Sequence, residues 1–113
     1  MMNYKFGDIV LIGFPYKGTT DQKKRPALVI LDIKDNDIVL APITSKEKKD
    51  SGDYELQDWK KSDLLSKSWV RLSKIACLSK NDIVRMFGAL SKQDKSQILE
   101  IWTKTFQDFF KEK

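Results

Sequence analysis

Lys24-Arg25-Pro26-Ala27-Leu28-Val29-Ile30-Leu31-Asp32-Ile33-Lys34-Asp35-Asn36-Asp37-Ile38-Val39-Leu40-Ala41-Pro42-Ile43-Thr44-Ser45 decides the fold. Two apolar runs rich in β-branched residues, 27–33 and 38–43, flank the turn-forming residues 34–37. Their length and composition predict strands, and so short a connection predicts an antiparallel hairpin. Both runs are apolar at successive positions, so both of their faces are expected to be covered. A third run of this kind, Ile9 to Phe14, lies upstream between Gly7-Asp8 and Pro15.

Working outward, residues 16–25 and 46–53 are polar and loop-like, and a short strand is expected around Tyr54-Glu55-Leu56. Asp63-Leu64-Leu65 reads as a helical turn, and Trp69 to Leu72 and Ile75 to Leu78 as two further strands. The last segment is a helix. Ser91 and Asp94 have the spacing of a capping box, with Asp in the usual Glu/Gln place. Ile98, Ile101, Trp102, Thr105, Phe106 and Phe109 then fall on one face, opposite Lys95, Lys104 and Lys111. The expected fold is mostly β (α+β): one domain over residues 1–113, built as a small closed β-barrel with the C-terminal amphipathic helix as its lid.

No run of about 18 apolar residues is present to span a bilayer, and residues 1–8 have no signal-peptide character. The single cysteine, Cys77, excludes an intramolecular disulfide, agrees with a reducing, cytoplasmic setting, and is expected to pack in the core. The absence of histidine excludes His-dependent hydrolases, His-paired ribonucleases and His-containing zinc sites. No phosphate-binding glycine loop or calcium loop occurs, so no metal or cofactor is expected. The remaining chemistry must come from Arg, Lys, carboxylates, hydroxyls and backbone amides.

The net charge of +5 favours an anionic partner. It is concentrated in three segments. Residues 17–25 carry Lys17, Lys23, Lys24 and Arg25 against Asp21; residues 46–49 carry three Lys against Glu47; residues 60–74 carry Lys60, Lys61, Lys67, Arg71 and Lys74 against Asp63.

A hairpin centred near residue 35 pairs residues whose numbers total about 70 or 71, since the turn is the midpoint of an antiparallel ladder. Arg25 then faces Ser45 or Lys46, and Pro26 faces Thr44 or Ser45. A guanidinium beside two hydroxyls suits a phosphodiester, because its forked donors hold two phosphate oxygens and stabilise charge developing on them. On this reading alone, Arg25 could equally be a loop ion-pair former and Thr44 a strand-end residue.

These residues also carry a family likeness. Gly7-Asp8-Ile9-Val10, Lys24-Arg25-Pro26-Ala27-Leu28-Val29, Pro42-Ile43-Thr44-Ser45, Lys67-Ser68-Trp69-Val70-Arg71-Leu72-Ser73-Lys74-Ile75 and Phe87-Gly88-Ala89-Leu90-Ser91 resemble, in order and spacing, the MazF/PemK ribonuclease toxins of bacterial toxin–antitoxin systems. The resemblance implies a compact barrel shared with CcdB-type gyrase poisons, a homodimer, and an antitoxin bound across the active groove. It implies metal-independent cleavage of single-stranded RNA through a 2′,3′-cyclic phosphate, with Arg25 and Thr44 as the catalytic pair. Ser45 is expected to assist them, and Lys23, Lys24, Lys46, Arg71 and Lys74 to bind RNA. Residues 16–22 depart from the family pattern, and Lys74 stands where some members carry glutamine. The rival reading is a non-catalytic inhibitory binding protein of the gyrase-poison kind on the same fold.

Overall fold

The computed structural model describes residues 2–15, 22–46 and 52–111. The strands are β1 (Asp8–Pro15), β2 (Gln22–Leu31), β3 (Asp37–Thr44), β4 (Asp53–Glu55), β5 (Trp69–Arg71), β6 (Ala76–Ser79) and β7 (Ile83–Ala89), followed by helix α1 (Lys92–Lys111). Short 3-10 turns at Leu72–Lys74 and Lys80–Asp82 link β5 to β6 and β6 to β7. The pairings are antiparallel, in the order β4-β5-β3-β2-β1-β7. The outer edge of β3 is shared: Asp37 to Leu40 pair with β6, and Ile43 and Thr44 pair with β5.

The hairpin forms as expected, with its register displaced. Ala27, Leu28 and Val29 face Pro42, Ala41 and Leu40, so the paired numbers total 69; the next pair is Leu31 with Val39. Ile30 is thus an extra residue on β2, a bulge that shifts every partner below it. Continuing the ladder two steps sets Arg25 across from Thr44 rather than Ser45 or Lys46.

Both faces of β1–β3 are covered, as their unbroken apolar runs require. On one face Ile9, Leu28, Ala41 and Ile43 pack with Leu56, Leu64, Leu90 and Ile98. On the other, Val10, Ile12, Ala27, Val29, Ile38 and Leu40 pack with Tyr4, Leu78 of β6 and Ile83 of β7. The sheet therefore curls around this second cluster. It does not close into a barrel: among the described residues no ladder joins β7 to β4 or β6. This corrects the expected closed barrel. The second cluster is closed by side-chain packing from the two outer strands, not by backbone hydrogen bonds.

Helix α1 begins where the capping pattern placed it, with the Asp94 N–H donating to Ser91 Oγ at 3.1 Å. The Asp94 carboxylate does not complete the box. It accepts from the Tyr54 hydroxyl (2.6 Å), the Gln57 N–H (3.0 Å) and the Asp58 N–H (2.9 Å), tying the segment after β4 to the helix. Burial, then this carboxylate, push the Tyr54 hydroxyl well above the usual phenol range. Ile98 is 1% exposed and anchors the helix, a burial worth roughly 1.5–3 kcal/mol. Trp102 of the expected stripe is 39% exposed, so the lid seals less of the sheet than its periodicity implied. The side chains of Phe106 and Phe109 lie outside the described residues.

Two further expectations change. Cys77 is exposed, because the next residue, Leu78, packs in the second cluster and strand alternation turns Cys77 outward. The helical turn lies at 58–63, just ahead of its expected place, with Ser62 N–H donating to the Asp58 and Trp59 carbonyls at 3.2 Å. No helix among the described residues is long and apolar enough to cross a membrane.

Candidate functional site

Arg25 is half-buried near the start of β2, opposite Ile12 of β1. Pro26, which brings no N–H to the ladder, follows it and faces Leu11. Strand alternation puts Arg25 on the same face as Ala27 and Val29. It likewise puts Thr44 with Ile38, Leu40 and Pro42, so Arg25 and Thr44 share one face. Thr44 ends β3, opposite Trp69 of β5. Its Oγ1 accepts from the Lys46 N–H at 3.2 Å, forming a turn that carries Ser45 and Lys46, both exposed, away from the strand. A hydroxyl in this role still has its own O–H to donate.

Arg25, Thr44, Ser45, Lys46, Arg71 and Arg85 line one open groove of about 810 Å³. Its other wall includes Asp63, Leu65 and Phe87. Arg71 comes from β5, with its Nε 3.6 Å from the buried Asp53 carboxylate across the β4–β5 pair. Arg85 stands opposite Leu11 on β7, its guanidinium carbon 5.4 Å from the centroid of the Phe87 ring. Phe87 itself packs against the first cluster.

Of the expected site residues, the groove gathers Arg25, Thr44, Ser45, Lys46 and Arg71. Lys24 is exposed but alternates to the opposite face from Arg25, and Lys74 sits exposed in the turn after β5; neither lines the groove. The side chain of Lys23 lies outside the described residues, as do residues 17–21 and 47–49. Within segment 60–74, charge is also engaged elsewhere. Lys67 is 3.6 Å from Glu55 and 5.7 Å from the Trp69 ring centroid, and Lys60 lies 5.5 Å from that of Trp59.

Two charged groove residues lie outside the expected set, Arg85 and Asp63. Arg85 escaped because β7 was not read as a strand. The available signal was Ile83-Val84-Arg85-Met86-Phe87, a β-branched and aromatic stretch with Arg and Phe two apart, hence on one face. Asp63 was read only as part of a turn.

The family model described as PemK-like, MazF-like toxin of type II toxin–antitoxin system matches residues 5–105. The fold resembles that of an endoribonuclease solved in complex with its cognate antitoxin, from a mycobacterial species. The TM-score is 0.74 at 13% identity, over 93% of this chain and 96% of that one. It also resembles the Mycobacterium tuberculosis toxin MazF-mt6, with a TM-score of 0.72 at 17% identity, over 88% of this chain and 96% of that one. At such identities the structural likeness shows the fold. No curated protein matches the chain.

Proposed function

The chain belongs to the PemK-like, MazF-like toxin family of type II toxin–antitoxin systems, and from that footing we propose that it is an endoribonuclease cleaving single-stranded RNA in the groove of Arg25 and Thr44. The observation that carries this reading is one groove lined by Arg25, Thr44, Ser45, Lys46, Arg71 and Arg85. Among its described lining residues, four cations stand against the single carboxylate of Asp63, a balance suited to an extended phosphodiester chain.

In this reaction the RNA 2′-oxygen attacks the adjacent phosphorus and the P–O5′ bond breaks. The O5′ leaves with the bonding pair and takes a proton from solvent, giving a 2′,3′-cyclic phosphate and a 5′-hydroxyl. Arg25 holds the non-bridging oxygens and stabilises the charge that builds on them; a guanidinium stays protonated and acts by electrostatics. Thr44, fixed by its bond from the Lys46 N–H, donates its hydroxyl to the same phosphate, with Ser45 beside it. Lys46, Arg71 and Arg85 track the flanking phosphates. The chemistry needs no metal ion, because cationic side chains supply the charge stabilisation.

The partners in this reading are single-stranded RNA, a second copy of the chain, and a cognate acidic antitoxin that occupies the groove and orders as it binds, all in the cytoplasm. Sedimentation at micromolar concentration is expected to give twice the chain mass of 13.1 kDa. The activity is tested by incubating purified protein with a long single-stranded RNA and a duplex of equal length in excess EDTA. Cleavage of the single strand alone is expected. An intact single strand, with growth inhibition retained in cells, would favour the inhibitory-binding reading.

A further inference from the structure

The attacking 2′-hydroxyl must lose its proton, and the described residues of the groove include few groups able to take it. Guanidinium and ammonium groups are donors only, and the hydroxyls of Thr44 and Ser45 are too weakly basic. Among the described residues lining the groove, Asp63 is the one carboxylate. Building on the ribonuclease reading, we propose that Asp63 is the general base of the reaction, accepting the 2′-hydroxyl proton as the 2′-oxygen bonds to phosphorus and returning it to solvent after the product leaves.

The chain holds Asp63 in place by three independent means. The turn at 58–63 is closed by Ser62 N–H to the Asp58 carbonyl and Asp63 N–H to the Lys60 carbonyl (3.1 Å), and Leu64 N–H then reaches back to the Trp59 carbonyl (3.1 Å). The next residue, Leu64, is buried in the first cluster and fixes the exit. The turn is also seated on β7: a Cβ at Gly88 would fall 2.1 Å from the Ser62 carbonyl oxygen, so only glycine lets this backbone approach. Gly88 follows Phe87, which lines the same groove, so the contact joins the turn to the groove wall.

Asp63 has φ 64, a left-handed conformation that Asp, Asn and Gly tolerate and most residues do not. The turn therefore explains a small set of residue types and leaves the negative charge unexplained. Asparagine or glycine would serve the backbone equally well and would not add repulsion to an RNA-binding groove. A carboxylate among Arg25, Lys46, Arg71 and Arg85 weakens phosphate binding unless it takes part in the chemistry.

The same fact makes the test clean, because Asp63→Asn and Asp63→Gly keep the turn and remove the base. Single-turnover cleavage of a single-stranded RNA is measured beside affinity for its uncleavable 2′-O-methyl form. Both variants are expected to bind the 2′-O-methyl RNA at least as well as wild type and to cleave about a hundredfold or more slowly, the usual scale of general-base catalysis. Cleavage by either variant within about threefold of wild type would overturn the assignment. Loss of binding together with cleavage would also overturn it, making Asp63 a structural residue. Wild type that cleaves, and fails to cleave once Arg25 is replaced by Ala, keeps the ribonuclease reading whatever Asp63 does; wild type that cleaves nothing removes both.

Discussion

Extended two steps beyond the Ala27–Pro42 pair, the β2–β3 register sets Thr44 across from Arg25, on the same face of the sheet. The two sit nineteen residues apart in a hairpin whose turn is far from the groove. Their juxtaposition is therefore a property of the strand register, and the Ile30 bulge sets that register. Thr44 is also held from its other side, by Trp69 of β5 and by the Lys46 N–H.

Arg25→Ala is expected to lower RNA cleavage about a hundredfold or more, corresponding to loss of one transition-state donor. Thr44→Val keeps the side-chain volume but removes both the O–H donor and the acceptor of the Lys46 N–H, so it should slow cleavage and loosen residues 45–46. Ser45→Ala should have the smallest effect of the three. Single-turnover rates on one RNA rank them, and a Ser45→Ala loss exceeding that of Thr44→Val would reverse the two assignments.

Gly88→Ala is expected to destabilise the fold by about 1–3 kcal/mol, the usual range for forcing a methyl group into a packed contact. The obstacle is the backbone carbonyl of Ser62, which cannot swing aside as a flexible side chain can. Urea unfolding measures the loss. An unchanged midpoint would show that the 58–63 turn does not rest on β7.

Acid stability should depend on Asp32. Its carboxylate is 2.9 Å from Lys80 Nζ and accepts from the Tyr4 and Lys34 N–H groups, each at 2.7 Å. Burial works against its ionisation, but the Tyr4 N–H, the Lys80 ammonium and the Lys34 N–H outweigh it and hold the carboxyl below its ordinary 3.8. A folded-state value below the unfolded one gives stability that is present above pH 3.8 and lost as pH falls through the lower folded value. Asp32→Asn should lower the urea midpoint at neutral pH and flatten its decline in acid. A parallel decline in both proteins would mean that other carboxylates dominate.

Charge reversal at Lys46 and Arg85 should weaken RNA and antitoxin together and reduce the salt dependence of both, because each removes a cation from the shared groove. The same change at Lys74, outside the groove lining, should leave both nearly unchanged. Affinities at two or more salt concentrations decide it; equal losses at all three positions would mean that overall charge, not the groove, draws the partners.

What could be read from the sequence was whatever is encoded locally. The β2–β3 hairpin follows from two β-branched runs and a four-residue polar turn, and the helix start follows from Ser91 and Asp94. The register needed Ile30 to be recognised as a bulge, and nothing in its side chain marks it as one. Strand β7 escaped because its ladder with β1 shifts twice, between Ile9 and Val10 and between Leu11 and Ile12, which disrupts the regular in–out pattern. Arg85 was missed with it. Lys24 is expected in the site as part of the basic segment 17–25, and Lys74 as part of segment 60–74, at a position where some family members carry glutamine. Lys24 points to the opposite face of β2 from Arg25, and neither it nor Lys74 lines the groove. The second role of Asp94, binding the segment after β4, arises from contacts some forty residues away and has no local signature.

The most direct measurement is the chemistry of the RNA ends produced in excess EDTA, with wild type and Arg25→Ala assayed side by side. Wild type is expected to give fragments ending in a 2′,3′-cyclic phosphate and beginning with a 5′-hydroxyl, and Arg25→Ala almost none. Fragments with 3′-hydroxyl and 5′-phosphate ends, or equal cleavage by the two proteins, would contradict it.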